Sequence, residues 1–301
     1  MARSDDDSWD INEGVGATAL GVAFARAQET TSECPLFTDQ YAQLFIDAAL
    51  ERGWRPPPTH MAKRIRAISG YMASRTRWFD EFFVAAGANG IDQAVILAAG
   101  LDARAWRLPW VDGSVVYEID QPKVLKFKTE TMRAHDARPA ARYVAVPIDL
   151  RQDWPTALRD AGFDPDVPTA WAAEGLLPYL PAAGQDLLFE RIHDLSAQGS
   201  RIGVESFGAG FFDPDYLASR RQRLRQWREK AGTEADDKVP DTQDLWFIED
   251  RTEVADWLME HGWDVTSVEA ADLLDRYGRR ATGELDDITP RTVFVEGKLA
   301  S

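Results

Sequence analysis

Cysteine is almost absent from this sequence, and long apolar runs are missing. Cys34 is the only cysteine, so no disulfide can form within the chain, and a reducing compartment is expected. No apolar stretch approaches the ~20 residues that a membrane-spanning helix needs. The first ten residues, MARSDDDSWD, are acidic and lack the apolar centre of a secretion signal. These absences favour a soluble cytoplasmic protein.

Positive charge is scarce relative to negative charge. The 301 residues include 34 lysines and arginines against 50 aspartates and glutamates, for a formal net charge of -16. Nucleic acids and anionic membranes are bound by clustered lysine and arginine. We therefore expect neither a nucleic acid partner nor a membrane surface, and the sequence leaves the oligomeric state open.

Several common catalytic signatures are also missing. The four histidines are scattered without metal-ligand spacing, so no metal is predicted. GVGATALG, at 14–21, follows no predicted strand and lacks the Gly-Lys-Ser/Thr of a phosphate loop. GVESFGAG, at 203–210, has Val204 where a hydrolase nucleophile elbow needs a glycine.

Apolar patterning divides the chain into a helical beginning and an alternating remainder. The first ninety residues predict helices, one capped by Thr38 and a longer one that ends before Gly87. From Ala94 onward, apolar runs alternate with helical segments, which predicts a parallel sheet covered on both faces. The predicted strands are 94–100, 115–120, 142–150, 169–175 and 201–207. Two final strands, WDVTSVEA and RTVFVEGKL, are candidates for an antiparallel pair at the sheet edge.

The predicted strands end in a series of polar residues. The first strand ends at Gly100, and the next four end near Asp120, Asp149, Glu174 and Glu205. Acidic residues are poor strand formers, and ligands of open α/β sheets bind at the carboxyl edge. The series therefore indicates a binding site. Asp120 lies twenty residues after Gly100, where nucleotide-binding folds place the acid that accepts from ribose hydroxyls.

The turn at Gly100 lacks the glycines that a pyrophosphate needs. Several bare backbone amides cradle a pyrophosphate, whereas AAGLDARAW offers a single glycine. A ligand without phosphates needs only one close approach. S-adenosyl-L-methionine is such a ligand, because it combines an adenine, a ribose, a cationic sulfur and an amino acid. Asp149 and Leu150 would then meet the adenine, and Glu174 the cationic end.

In these stretches the chain resembles the leucine carboxyl methyltransferase family of class I S-adenosyl-L-methionine-dependent methyltransferases, most closely a bacterial branch. The matching stretches are VGATAL, ASRTRWFDEFF, VILAAGLDARAWRLPW, VVYEIDQPKVLKFK, VAVPIDLRQDWP, TAWAAEGLLPYLP and GSRIGVES. The resemblance implies an α/β, Rossmann-like seven-stranded sheet, mostly parallel with one antiparallel strand, plus a helical cap. It implies an N-terminal cap in residues 1–90 and a cofactor-binding domain in residues 91–301, with a lid insertion at about 208–250.

The resemblance also implies roles for individual residues. Arg75 in ASRTR corresponds to the arginine that pairs with the carboxylate of the cofactor's methionine part. Gly100 corresponds to the glycine beside the methionine amino group, and Asp120 to the ribose acid. Ala98 departs from the family pattern, in which glycine is common, and so puts a cofactor contact at that position in doubt.

The remaining correspondences concern the adenine and the reacting end. Asp149 and Leu150 match the adenine contacts, and Glu174 matches the glutamate of a motif that ends at Tyr179. The predicted reaction is an in-line methyl transfer to oxygen of a small-molecule acceptor. A carboxylate acceptor needs no base, whereas a hydroxyl acceptor does, and Glu174 and Tyr179 are the candidates.

Two other functions stay open at this point. One is an NAD(P)-dependent oxidoreductase on a similar sheet, which Asp120 fits and the missing glycines after Gly100 do not. The other is a non-catalytic small-molecule-binding protein on the same fold, because binding residues alone do not establish turnover.

Overall fold

The computed structural model describes residues 14–55, 62–207, 245–280 and 291–300, together with 211, 215–216, 218–219 and 222. The strands are β1 (Gln93–Leu97), β2 (Val115–Asp120), β3 (Arg142–Pro147), β4 (Thr169–Ala173), β5 (Arg201–Phe207), β6 (Trp263–Glu269) and β7 (Thr292–Leu299). They form one sheet in the order β3-β2-β1-β4-β5-β7-β6. Strands β1 to β5 are parallel, and β7 is antiparallel to β5 and β6. The predicted sheet with one reversed strand is confirmed.

Helices cover both faces of the sheet. They are α1 (Gly14–Thr30), α2 (Ala42–Glu51), α3 (Ala62–Ala88), α4 (Arg104–Arg107), α5 (Pro122–Ala134), α6 (Trp154–Asp160), α7 (Ala182–Asp194), α8 (Val254–Glu260) and α9 (Ala270–Arg276). A short 3₁₀ turn occupies Leu177–Tyr179. None of the helices in the described part of the chain has the length and apolar character of a membrane span.

Three predicted strands are shorter than their apolar runs. β1, β3 and β4 end at Leu97, Pro147 and Ala173, so the polar residues that follow them lie in loops. After β1 the backbone turns at Ala98, whose positive φ of 49° is incompatible with a continuing strand. Because these polar residues lie in loops and not in strands, their side chains are not held to alternate faces of the sheet and can point toward one site.

Two predicted helix signals were wrong by a few residues. Thr38 does not cap α2, whose first residue is Ala42; instead the buried carboxylate of Asp39 accepts the backbone N–H groups of Tyr41 and Ala42 in the turn that leads into the helix, each at 3.1 Å. The glycine beyond α3 is Gly90, with φ of 83°. The backbone N–H of Ile91 then bonds to the carbonyl of Ala86 at 3.1 Å, as in a Schellman motif.

Alternation along the strands divides the core into two layers. In β1, Ala94 and Ile96 pack with α3, whereas Val95 and Leu97 pack with the helices of the other face. A Cβ on Gly203 in β5 would lie within 3.3 Å of Phe82, so this glycine lets α3 lie directly on the sheet. The position of α3 matters because this helix carries Arg75 to the carboxyl edge.

Most of the predicted lid at about 208–250 lies outside the described residues. The division of the chain at residue 90 stays a prediction.

Candidate active site

The turn after β1 brings backbone to the carboxyl edge of the sheet. Ala98 and Gly100 both have positive φ, of 49° and 52°. The left-handed region is costly for alanine and free for glycine, so Ala98 holds strained backbone in this turn. A Cβ on Gly100 would lie 3.3 Å from the Cβ of Ala19 in α1. The first helix therefore packs closely over this turn.

Asp120 ends β2 beside this turn and is hydrogen-bonded to it. Its Oδ2 accepts the backbone N–H of Gly100 at 2.6 Å, and its Oδ1 accepts that of Gln121 at 2.6 Å. Burial raises the pKa of the Asp120 carboxyl, and the two N–H groups offset part of that rise. The fold thus brings two residues that are twenty positions apart into direct contact.

Asp149 lies two residues beyond β3, in a polar turn. Its carboxylate accepts the backbone N–H of Arg151 at 2.8 Å and the guanidinium of Arg151 at 2.9 and 2.7 Å. The side-chain amide of Gln121 donates to Asp149 at 3.2 Å, which links Asp149 to the residue next to Asp120. Leu150 is half-buried and packs against the core layer that contains α6 and α7.

Glu174 follows β4 directly and is held by three buried arginines. Its Oε1 lies 3.1 Å from Nη2 of Arg26 and 3.0 Å from Nε of Arg75, and its Oε2 accepts from Nη1 of Arg104 at 2.7 Å. Burial would raise the pKa of Glu174, but Arg104, Arg75 and Arg26 together hold it well below its usual range. The carboxylate is therefore ionised around neutral pH, a poor setting for a proton acceptor.

Arg75 joins the ends of β4 and β5. Besides its pair with Glu174, its Nη1 donates to Oε2 of Glu205 at 3.0 Å. The hydroxyl of Tyr71 donates to the other oxygen of Glu205 and lies 2.8 Å from Oγ1 of Thr292. Burial would lower the pKa of Arg75, but Glu205 and Glu174 raise it. Nε of Arg75, although 3.0 Å from Glu174, makes no aligned hydrogen bond, and no hydrogen bond or ion pair joins Nη2 to the described residues.

These pairs belong to a larger group, here called the buried charge cluster. It consists of four arginines and five carboxylates joined by ion pairs: Arg26, Arg75, Arg104, Arg107, Asp39, Asp80, Asp102, Glu174 and Glu205. Each of these side chains is at most 9% exposed. Buried charges are tolerated when they are paired. The cluster has a formal charge of one negative unit, which suits a ligand of opposite charge.

The predicted site residues fall into two groups along one edge of the sheet. One group follows β1, β2 and β3 and contains Gly100, Asp120, Asp149 and Leu150. The other follows β4 and contains Arg75 and Glu174. Tyr179 is half-buried and ends the 3₁₀ turn, five residues after Glu174.

Known proteins share both the sequence and the fold of this chain. A match to the leucine carboxyl methyltransferase family extends over residues 19–193. A Mycolicibacterium paratuberculosis protein named as an S-adenosyl-L-methionine-dependent methyltransferase is 53% identical over 308 residues, covering 98% of this chain and 96% of that protein. A protein of the same name from Mycobacterium marinum is 52% identical, with 98% of each chain covered. The chain belongs to the leucine carboxyl methyltransferase family.

The protein is thus an S-adenosyl-L-methionine-dependent methyltransferase, which sets aside the oxidoreductase and the non-catalytic alternatives. The solved structure of a DUF574 family protein from Streptomyces avermitilis resembles this methyltransferase with a TM-score of 0.51 at 13% sequence identity. That alignment covers 92% of this chain and 96% of the other, and it shows a shared fold.

The residues of the methyltransferase fit its cofactor. S-adenosyl-L-methionine carries a sulfonium, an ammonium and a carboxylate, so its formal charge of plus one complements the buried charge cluster. The unpartnered Nη2 of Arg75 is a donor suited to a carboxylate. Asp120 offers an acceptor at the end of β2, in the position that ribose-binding acids occupy in such sheets.

Several members of the buried charge cluster, notably Arg26, Asp80, Asp102 and Arg104, are not predicted by the sequence pattern. A signal was present in GLDARAWRL, where an aspartate and two arginines interrupt an otherwise apolar segment. Charged residues in a segment that is buried must find partners. The partners themselves come from α1, α3 and the loop after β4, far away in the sequence.

A cavity of about 490 Å³ opens at the opposite, amino edge of the sheet. Arg201, Asp264 and Lys298 are among its lining residues. Because ligands of such sheets bind at the carboxyl edge, this cavity is separate from the candidate active site.

Proposed function

We propose that this methyltransferase transfers a methyl group to an oxygen of a small molecule, and that the oxygen belongs to a carboxylate. The observation behind this proposal is that three arginines form ion pairs with Glu174. A hydroxyl acceptor must lose a proton to a base, whereas a carboxylate is nucleophilic as it stands. With its pKa well below the usual range, Glu174 is unsuited to take that proton.

The described histidines do not supply a base either. His135 and His261 directly follow α5 and α8, and His193 lies in the last turn of α7. Each of these helix ends leads into the amino end of the next strand, so the three imidazoles belong to the edge opposite Glu174. A carboxylate acceptor removes the need for any of them.

In the proposal, one group of residues binds the ribose and the methionine part of the cofactor. Asp120 accepts from the ribose hydroxyls, and Gly100 allows its backbone to approach the methionine amino group. Nη2 of Arg75 donates to the methionine carboxylate, while Nε and Nη1 keep their pairs with Glu174 and Glu205. Glu174 accepts from the ammonium.

A second group of residues is assigned to the adenine. The carboxylate of Asp149 accepts from the exocyclic amine, and the backbone N–H of Leu150 donates to a ring nitrogen. Gln121 joins this subsite to the ribose acid through its contact with Asp149.

Methyl transfer requires the protein mainly to align the acceptor oxygen with the methyl group of the cofactor. When bound, the cofactor supplies an electrophilic methyl on a sulfonium, which an acceptor oxygen takes by in-line displacement while a neutral thioether leaves. With a carboxylate acceptor no proton moves. The side chains of the site therefore contribute alignment, charge complementarity and exclusion of water.

The proposal includes a cap and a cellular location. The N-terminal helices and the insertion at about 208–250 would close over the acceptor, because methyl transfer needs a site that excludes water. The contact between Ala19 and the Gly100 turn supports a covering role for α1. A cytoplasmic location is favoured by the single cysteine.

The acceptor proposal is tested with cofactor labelled in the methyl group. The enzyme is incubated with a mixture of carboxylic acids and, separately, with a mixture of alcohols and phenols, and the labelled products are then treated with base. Methyl esters release labelled methanol in base, whereas methyl ethers keep the label. We expect base-labile label from the acids. Base-stable label from the alcohols would overturn the proposal and point to Tyr179 as the base.

A further inference from the structure

Arg104 is the first residue of α4, and its side chain is completely buried. Its Nε donates to Asp80 at 2.6 Å, and its Nη2 donates to the backbone carbonyl of Thr76 at 3.1 Å. Its Nη1 donates both to Asp102 and to Glu174, the latter at 2.7 Å. Four of the five N–H donors of an arginine are thereby satisfied at once.

These contacts join three separate parts of the methyltransferase. Thr76 and Asp80 belong to α3, Asp102 lies in the turn after β1, and Glu174 follows β4. A guanidinium is planar and presents its donors in a rigid fork, so each contact fixes a direction as well as a distance. Lysine has one nitrogen on a flexible stem and cannot reproduce this set of contacts.

Among the charged groups around Glu174, Arg104 has the largest effect on the pKa of its carboxylate. The charged groups that face Glu174 come from α1, α3, α4, the turn after β1, and β5: Arg26, Arg75, Arg104, Asp102 and Glu205. Burial would raise the pKa of Glu174, and Arg104 acts most strongly against that rise, ahead of Arg75 and Arg26. Asp102 and Glu205 are themselves paired with these arginines.

We infer that Arg104 is a positioning residue of the methyltransferase, which keeps the carboxylate of Glu174 oriented toward the cationic end of the cofactor. The inference rests on the proposed role of Glu174 as a cofactor contact. Arg104 acts through Glu174, because its side chain is completely buried and four of its five donors are taken by protein partners. It is therefore expected to influence cofactor affinity only while residue 174 is a carboxylate.

Arg107 provides a matched control. It lies one turn further along the same helix, is also buried, and donates to Asp80 with two nitrogens, each at 2.6 Å. Its ion pairs are with Asp80 and Asp39, and none of them reaches Glu174. Loss of anchoring to α3 is therefore common to both arginines, whereas contact with Glu174 belongs to Arg104.

The first test compares Arg104→Lys with Arg107→Lys in the full-length protein. Affinity for S-adenosylhomocysteine and for S-adenosyl-L-methionine is measured by calorimetry, and the free energy of unfolding by denaturant titration. We expect both variants to lose stability and Arg104→Lys to lose at least about tenfold more affinity for the methylated cofactor than Arg107→Lys does. Equal affinities in the two variants would overturn the inference.

The second test measures affinity between about pH 5.5 and pH 8 for wild type, Arg104→Gln, Glu174→Gln and the double variant. Arg104→Gln should weaken binding, and because Arg75 and Arg26 still oppose a rise in the pKa of Glu174, any steeper loss of affinity on acidification than in wild type belongs to Glu174. Asp120 is present in every protein compared, so its own titration cancels. The double variant should match Glu174→Gln in affinity and in pH profile, because Arg104 acts through Glu174. If Arg104→Gln does not fold, the comparison of Arg104→Lys with Arg107→Lys still tests the role of Arg104.

The outcomes separate this inference from the proposed function. If Glu174→Gln binds cofactor as tightly as wild type, the assignment of Glu174 in the proposed function is wrong. If Glu174→Gln weakens binding but Arg104→Gln binds as tightly as wild type, or weakens binding equally when residue 174 is glutamine, the inference about Arg104 alone is wrong.

Discussion

The carboxylate of Asp120 accepts the backbone N–H of Gly100 at 2.6 Å, so the end of β2 is bonded to the turn after β1. Two residues to which the sequence assigns cofactor contacts are thus held as one unit. A fixed acceptor needs no reorganisation to receive a ligand, which favours binding. The strained alanine at 98 is two residues from this bond. The local backbone is therefore set by Asp120 and Gly100 rather than by the preference of Ala98.

Replacement of Asp120 by alanine should weaken cofactor binding at least about tenfold. Hydrogen bonds to a charged group contribute roughly 1.5–3 kcal/mol each, and the proposed site loses two of them. Calorimetry with S-adenosylhomocysteine measures the change, and circular dichroism checks that the fold persists. Asp120→Asn, which keeps an oxygen acceptor for Gly100, should fall between wild type and alanine. An unchanged affinity in Asp120→Ala would exclude the assigned role.

Replacement of Ala98 by glycine should stabilise the protein by roughly 0.5–1 kcal/mol. The left-handed backbone at residue 98 costs alanine ~1–2 kcal/mol, and the greater freedom of glycine in the unfolded chain offsets part of the gain. Denaturant titration measures the free energy of unfolding. The control is Ala99→Gly, at a buried neighbour without positive φ, which should destabilise instead. A loss of stability in Ala98→Gly would show that the strain is relieved in solution.

Much of the sheet follows from sequence pattern, because apolar runs that alternate with helical segments have few stable arrangements. The sequence pattern does not predict that β7 lies between β5 and β6. The apolar pattern of the two last strands predicts that they pair, but it does not say which of them lies at the edge. The polar side chain that binds the start of α2 was misplaced by one residue, because Thr38 and Asp39 are both good capping residues and only the folded chain brings the Asp39 carboxylate to the N–H groups of Tyr41 and Ala42.

The candidate site was predictable where its parts are close in the chain. Gly100 and Asp120 stand at the ends of adjacent strands, so spacing and strand pattern suffice to bring them together. Arg104 and Arg26 lie 70 and 148 residues from Glu174 in the chain, and no local pattern connects them with it. Arg75 was assigned through family resemblance, and its second partner, Glu205, becomes apparent only in the folded chain.

The buried pair of Glu118 and Lys128 should make stability depend on pH. Burial raises the pKa of Glu118 to about 7, despite the opposing charge of Lys128. The folded protein then holds a proton between about pH 4.5 and pH 7 that the unfolded chain has released, so the free energy of unfolding falls as pH rises through this window.

Denaturant titrations of wild type and Glu118→Gln at several pH values isolate this effect, because other groups titrate alike in both proteins. The difference in free energy should change by at most ~1.4 kcal/mol per pH unit within the window. The exposed Glu130 lies on α5 together with Lys128, and Glu130→Gln serves as the control. Parallel curves for wild type and Glu118→Gln would contradict the raised pKa.

Replacement of Arg75 by lysine should weaken cofactor binding at least about tenfold although it keeps the charge. Nε and Nη1 of Arg75 reach Glu174 and Glu205, both at 3.0 Å, and the single nitrogen of lysine cannot span both and still meet a ligand.

A general loss of stability also weakens binding, so the decisive measurement compares the affinities of two ligands. Intact S-adenosyl-L-methionine carries the carboxylate that Nη2 is proposed to bind, and the decarboxylated cofactor lacks it. Arg75→Lys should therefore reduce affinity for the intact cofactor much more than for the decarboxylated one. Arg77→Lys, on the same helix in a half-exposed pair with Glu81, should change neither affinity by more than about twofold. Equal losses for the two ligands in Arg75→Lys would mean that Arg75 only stabilises the fold around Glu174 and Glu205.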